Sequence, residues 1–165
     1  MGRKKFTKAE ETLRPDPRFG DKVLSRFINC IMYDGKKAVA QRVVYDAFEI
    51  IEQKLQKETD ENKPANALEI FQRAIDNVKP FVEVRSKRIG GANYQVPMQV
   101  NRTRQQSLAF RWIIDSTRAE RGRPMAQRLA DELYNAAKGE GKAMTTREQT
   151  HRMAEANRAF AHFAN

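Results

Sequence analysis

The 165-residue sequence predicts a mainly α-helical protein with six helices, one protruding two-stranded β-hairpin and an extended basic N-terminal arm. Three observations carry that expectation. Apolar residues recur at helical spacing in six segments, strict apolar–polar alternation is confined to residues 82–100, and residues 1–18 have no apolar period. A chain of this length is able to bury a core as one domain. The expected organisation is an arm over 1–18 and a single helical domain over 19–165, with the hairpin at about 80–100.

The arm carries Pro15 and Pro17 and reads as extended chain. Val23, Leu24, Phe27, Ile28 and Ile31 then mark a first helix, which Tyr33-Asp34-Gly35 stops. A second runs from Lys36 to about Leu55, with Val39, Val43, Ala47, Ile50, Ile51 and Leu55 on its expected buried face. After a polar acidic loop (56–66), Leu68, Phe71, Ile75 and Val78 form a third helix, stopped near Pro80. Val82 and Val84, then Tyr94, Val96, Met98 and Val100, alternate with polar residues on either side of Gly90-Gly91. Pro97 confines its strand to an edge. Such a ribbon is marginal alone and needs bracing at its base or a partner at its tip.

From Arg102 a fourth helix shows apolar residues on two sides, Leu108, Ala109, Trp112 and Ile113 against Phe110 and Ile114, which suits a central position. Gly122-Arg123-Pro124 separates it from a fifth, with Ala126, Leu129, Ala130, Leu133 and Ala137 inward. A glycine-rich break at 138–142 precedes a C-terminal helix over about 146–163, whose inward residues are Met153, Ala154, Phe160, Ala161 and Phe163.

Charge narrows the function. The net charge of +10 points to a polyanionic partner, nucleic acid first and anionic membrane second. The excess is polarised: residues 45–77 carry a net −4 and residues 79–123 a net +7. No apolar stretch is long enough to span a bilayer, and the basic N-terminus lacks a following apolar signal segment. Phe6 stands where a myristoylation signal needs Ser or Thr. The single cysteine, Cys30, fits a reducing, cytoplasmic setting.

No catalytic constellation emerges. Cys30 lies in the apolar context Ile28-Asn29-Cys30-Ile31-Met32 and reads as a buried structural thiol. His151 and His162 are about three turns apart on the expected helix, too far for one mononuclear metal site without other ligands. They read as surface or partner-facing groups. Gly35-Lys36-Lys37 lacks the upstream glycine of a phosphate loop, since Cys30 holds that position. Neither a cofactor nor a small-molecule substrate is indicated.

Four basic constellations suit phosphate. Arg3, Lys4, Lys5 and Lys8 lie on the arm, and Lys36 and Lys37 open the second helix, where backbone N–H groups also favour an anion. Arg85, Lys87 and Arg88 decorate the ribbon tip. Arg104, Arg111 and Arg118 recur every seven residues, with Asp115 spaced to pair with Arg111 or Arg118. Tyr94 serves either as a platform for a base or as a core aromatic at the ribbon base, and the sequence leaves both open. An arm, a ribbon and a helix together suit folded RNA better than a regular duplex groove. A DNA-binding architectural protein and an enzyme acting on RNA are the competing classes.

The stretches FINCIMYDGKKAVA (27–40), NVKPFVEVRSKRIGGANYQVPMQV (77–100), RQQSLAFRWI (104–113) and HRMAEANRAFAH (151–162) resemble the bacterial-type small-subunit ribosomal protein seven family along nearly the whole chain. The resemblance implies a six-helix bundle with a β-hairpin, a structural constituent of the ribosome rather than an enzyme. It implies direct binding to 16S rRNA, nucleation of the head (3′ major domain) of the small subunit, and a place at the subunit interface near the exit-site tRNA. The implied rRNA contacts are Arg3, Lys4, Lys5, Lys36, Lys37, Arg102, Arg104 and Arg111, with Lys8 beside them on the arm. The implied tRNA side is Arg85, Lys87 and Arg88, with Tyr94. Small-subunit proteins nine and eleven are the implied neighbours, the latter meeting the C-terminal helix with His151, Arg152, Arg158 and His162. The chain departs from the family in a longer acidic loop at 56–66, in Thr145 and Thr146 where relatives are often basic, and in an end, Phe163-Ala164-Asn165, without a basic aromatic tail.

Overall fold

The computed structural model describes residues 12–57 and 64–164. Along them run α1 (Lys22–Ile31), α2 (Lys37–Lys57), α3 (Ala67–Val78), β1 (Val82–Ile89), β2 (Ala92–Gln99), α4 (Arg102–Ala119), α5 (Met125–Ala137) and α6 (Lys142–Ala156), closed by a 3-10 segment, Arg158–Ala164. The expected helical fold with one antiparallel hairpin is what forms. Most of the arm, including Arg3, Lys4, Lys5 and Lys8, lies outside the described residues.

Local chemistry sets several helix starts. Asp21 accepts the Leu24 N–H at 2.7 Å, and Asn66 and Asn101 accept those of Glu69 and Arg104, each at 2.9 Å. Each satisfies a donor that the first turn leaves unpaired. Glu69 in turn accepts the Ala65 N–H at 2.7 Å, so α3 is capped from both directions. Phe27, Phe48, Phe71 and Phe110, one from each of the first four helices, meet at the centre. The Phe27 ring lies 5.2 Å from both Phe71 and Phe110 in tilted and edge-on geometry. The same buried cluster continues through Leu129 and Leu133 of α5 to Ala143 and Met144 of α6.

Several expectations are corrected. On α2 the buried face is Ala40, Val44, Ala47, Phe48, Ile51 and Leu55, and Val39 is 60% exposed. Two apolar stripes run side by side there, and the one holding the large Phe48 ring turns inward. The C-terminal helix begins at Lys142 and ends at Ala156, so residues 158–164 form a separate 3-10 turn and Met153 is exposed. Cys30 is exposed rather than buried. The arm's last residues are already docked: Asp16 is buried and accepts the Tyr45 hydroxyl at 2.8 Å and the Phe19 N–H at 3.1 Å.

The early start of α6 has a tertiary cause. Gly141 precedes it without a capping side chain, and the buried Glu132 of α5 accepts the Ala143 N–H at 2.7 Å in its stead. Gly141 has φ 98°, and a Cβ there would meet the Glu132 carboxylate at 3.2 Å. At the hairpin turn Gly90 and Gly91 both have positive φ, the geometry of a two-residue turn matched to strand twist. Lys87 stands opposite Tyr94, and Val84 opposite Pro97.

Candidate nucleic-acid interface

Lys36 and Lys37 sit at the mouth of α2, placed by a tight turn in which Asp34 and Gly35 both have positive φ. Lys36 reaches Asp34 only at 4.0 Å, with both side chains mostly exposed. Such an exposed pair is worth little and leaves the ammonium able to serve another anion. Beside them Arg14, Arg26 and Lys37 line a cleft of about 430 Å³ together with Asn29 and Cys30. No residue pattern singled out Arg14 and Arg26, because only the fold brings the chain before α1 against the mouth of α2. Although Cys30 is exposed, the surrounding chain still partly desolvates its sulfur and pushes the thiol above its usual range, the opposite of an activated nucleophile.

The hairpin cations divide into three situations. Glu83 is buried at the ribbon base, where it pairs with Arg85 of its own strand and takes two hydrogen bonds from Arg104 of α4, at 3.0 and 3.1 Å. Lys87 donates to the Phe163 carbonyl at 2.7 Å. Arg88, next to the turn, is exposed. Tyr94 packs its ring 5.2 Å from Phe160 and 5.3 Å from Phe163, so it anchors the C-terminal segment to the ribbon. Tyr94 stays half-buried in this packing.

On α4 the heptad spacing turns only about 20° per step relative to the helix, so Arg104, Arg111 and Arg118 share one side. Their span is about 21 Å at 1.5 Å per residue. Arg104 ends at the ribbon base, while Arg118 donates to the Ile31 carbonyl at 3.0 Å and lies 4.0 Å over the Tyr33 ring. The stripe therefore joins the ribbon to the turn that carries Lys36 and Lys37. Arg102 and Arg111 are exposed along it, and Asp115 forms no ion pair with either neighbouring arginine among the described residues.

The C-terminal candidates differ in what they contact. His151 is half-buried and accepts the Phe81 N–H through Nε2 at 3.2 Å. His162 contacts its own turn, Nδ1 lying 2.9 Å from the Ala159 carbonyl, and its ring lies tilted 4.0 Å from that of Phe163. Arg152 is exposed, and Arg158 makes a loose, exposed pair with Glu155 at 3.6 Å. Among the described residues no cluster of three or more His, Cys, Asp or Glu is placed to hold a metal, and no helix is long and apolar enough to cross a membrane.

These features define a helical protein that exposes cations on its ribbon, along α4 and at the mouth of α2. A family model described as ribosomal protein S7p/S5e matches residues 3–158. The small ribosomal subunit protein uS7 of Rhodopirellula baltica is 56% identical over 164 residues, 99% of each chain. The proteins of the same name from Thermotoga maritima and Methylobacterium radiotolerans are 51% and 49% identical, covering 90% and 99% of this chain and 91% and 99% of their own lengths. The chain belongs to the ribosomal protein S7p/S5e family, whose members are structural ribosomal components and not enzymes.

Proposed function

We propose that this protein is a structural constituent of the small ribosomal subunit that binds 16S rRNA directly and helps nucleate assembly of the head. In this reading it lies in the cytoplasmic ribosome, at the subunit interface near the exit-site tRNA. The observation that carries the proposal is the α4 stripe, which joins the ribbon base at Arg104 to the Tyr33–Lys37 turn through exposed Arg111. The exposed cations along this line, Arg102 and Arg111 with Lys36 and Lys37 at its far end, suit an RNA backbone followed over several phosphates. Lys36, Lys37 and Arg102 flank the stripe, and Arg3, Lys4, Lys5 and Lys8 of the arm are the further proposed rRNA contacts.

Arg88 is the strongest candidate on the tRNA side, because Glu83 already engages Arg85 and Phe163 engages Lys87. Small-subunit proteins nine and eleven are the proposed protein neighbours, with Arg152 and Arg158 as the exposed charges at the C-terminal end. Neither a membrane nor a small-molecule substrate enters this role.

Sedimentation of a cell extract through a sucrose gradient at physiological salt tests the assignment. The protein is expected to travel with the small subunit. Migration with the nucleoid, or at the top of the gradient as free protein, overturns it.

A further inference from the structure

An open cleft of about 460 Å³ lies where the end of α1, the first turns of α2 and the facing ends of α4 and α5 converge. Its surface is apolar, formed by Val43 and Met125 with Tyr33 and Val39, the last two 64% and 60% exposed. Large apolar groups gathered at one exposed place mark an interaction site more often than side chains scattered singly. The charged side chains lining it, Lys36 and Arg118, are both cations. Asp34 approaches Lys36 only at 4.0 Å and is itself largely exposed, so it neutralises the rim weakly.

Arg118 is held in place rather than loose. Its Nη2 donates to the Ile31 carbonyl at 3.0 Å, and its guanidinium lies 4.0 Å over the Tyr33 ring. The pair makes a fixed π shelf at the edge of an apolar floor, with Lys36 at the rim. Resting on the proposed function, we infer that this cleft takes one unstacked RNA base, its face against Tyr33 and Val39 and its phosphate on Lys36. RNA recognition uses splayed bases stacked on aromatic and guanidinium planes, and such a base brings a flat apolar face and an anion together. The doubly cationic rim matches that combination and disfavours a basic protein segment.

The test is a titration of the full chain against a transcript of the 3′ major domain over a salt series. Tyr33→Ala is expected to weaken binding about tenfold, or about 1.4 kcal/mol, within the range for base–aromatic stacking. Tyr33→Phe restores it, and Val39→Ser weakens it in the same direction. Neither Tyr33→Ala nor Val39→Ser alters the slope of log K on log salt, because no phosphate contact is removed. Lys36→Ala instead makes that slope shallower by about 0.7–0.9. Unchanged affinity in both Tyr33→Ala and Val39→Ser, with the wild-type chain still binding, overturns the base site and leaves the proposed function standing. Retained RNA affinity with loss of a neighbouring protein from reconstituted particles assigns the cleft to a protein and overturns it equally. Failure of the wild-type chain to bind the transcript removes the proposed function and the base site together.

Discussion

His151 joins α6 to the chain entering the ribbon through a hydrogen bond that fixes its protonation. Because Nε2 accepts the Phe81 N–H, the ring proton resides on Nδ1 and the folded-state imidazole is neutral. Burial, and then the charge of Arg147, hold its pKa below the ordinary 6.5. The unfolded chain therefore takes up a proton first as pH falls. The stability that His151 contributes is complete above about pH 6.5 and is lost as pH drops toward the lower folded-state value. Thermal melts from pH 7 to 5 are expected to show a steeper fall for the wild type than for His151→Gln, which keeps an acceptor and does not titrate. Superimposable profiles would contradict the assigned role. Nothing in the residue pattern marked this histidine as inward-facing, since its partner is a backbone N–H 70 residues away in sequence.

Glu83 ties elements together in a similar way. In VEVRSKRI its alternation with two valines reads as a solvent-facing carboxylate, yet it is buried and Val82 and Val84 are half-buried. The cause is α4, whose Arg104 reaches the strand and supplies two charge-assisted hydrogen bonds. Glu83→Gln is expected to destabilise the protein by about 1–3 kcal/mol in urea unfolding, the usual cost of breaking a buried polar pairing. It also releases Arg104 and Arg85, so binding to the 3′ major-domain transcript should strengthen, with a steeper salt dependence. Weaker binding at an unchanged slope would show that the ion pairs position the ribbon for RNA instead of restraining its charge. The hairpin was legible in outline, through Pro97 and Gly90-Gly91. Its bracing by Tyr94, Phe160 and Phe163 was not, because aromatic residues near a chain end carry no register signal. The start of α6 was hidden for the same kind of reason, its cap residing on Glu132 of another helix.

Across the whole molecule, charge patterning was the most informative part of the sequence. A net +7 over residues 79–123 marked the segment that becomes ribbon and central helix. The fold adds what a count of charges lacks: Glu83 draws on Arg85 and Arg104, Glu120 and Asp131 occupy Arg123, and Arg88, Arg102 and Arg111 stay exposed. It also turns three arginines spaced by heptads into a link between two basic sites. Recognition of a folded RNA by this surface, as proposed, is decided by a paired titration at physiological salt. One arm is a transcript of the 3′ major domain and the other is random duplex DNA. Clear preference for the transcript is expected, with log K falling against log salt at a slope of magnitude no greater than about 5 if roughly six phosphates are neutralised. Equal affinity for the two would contradict it.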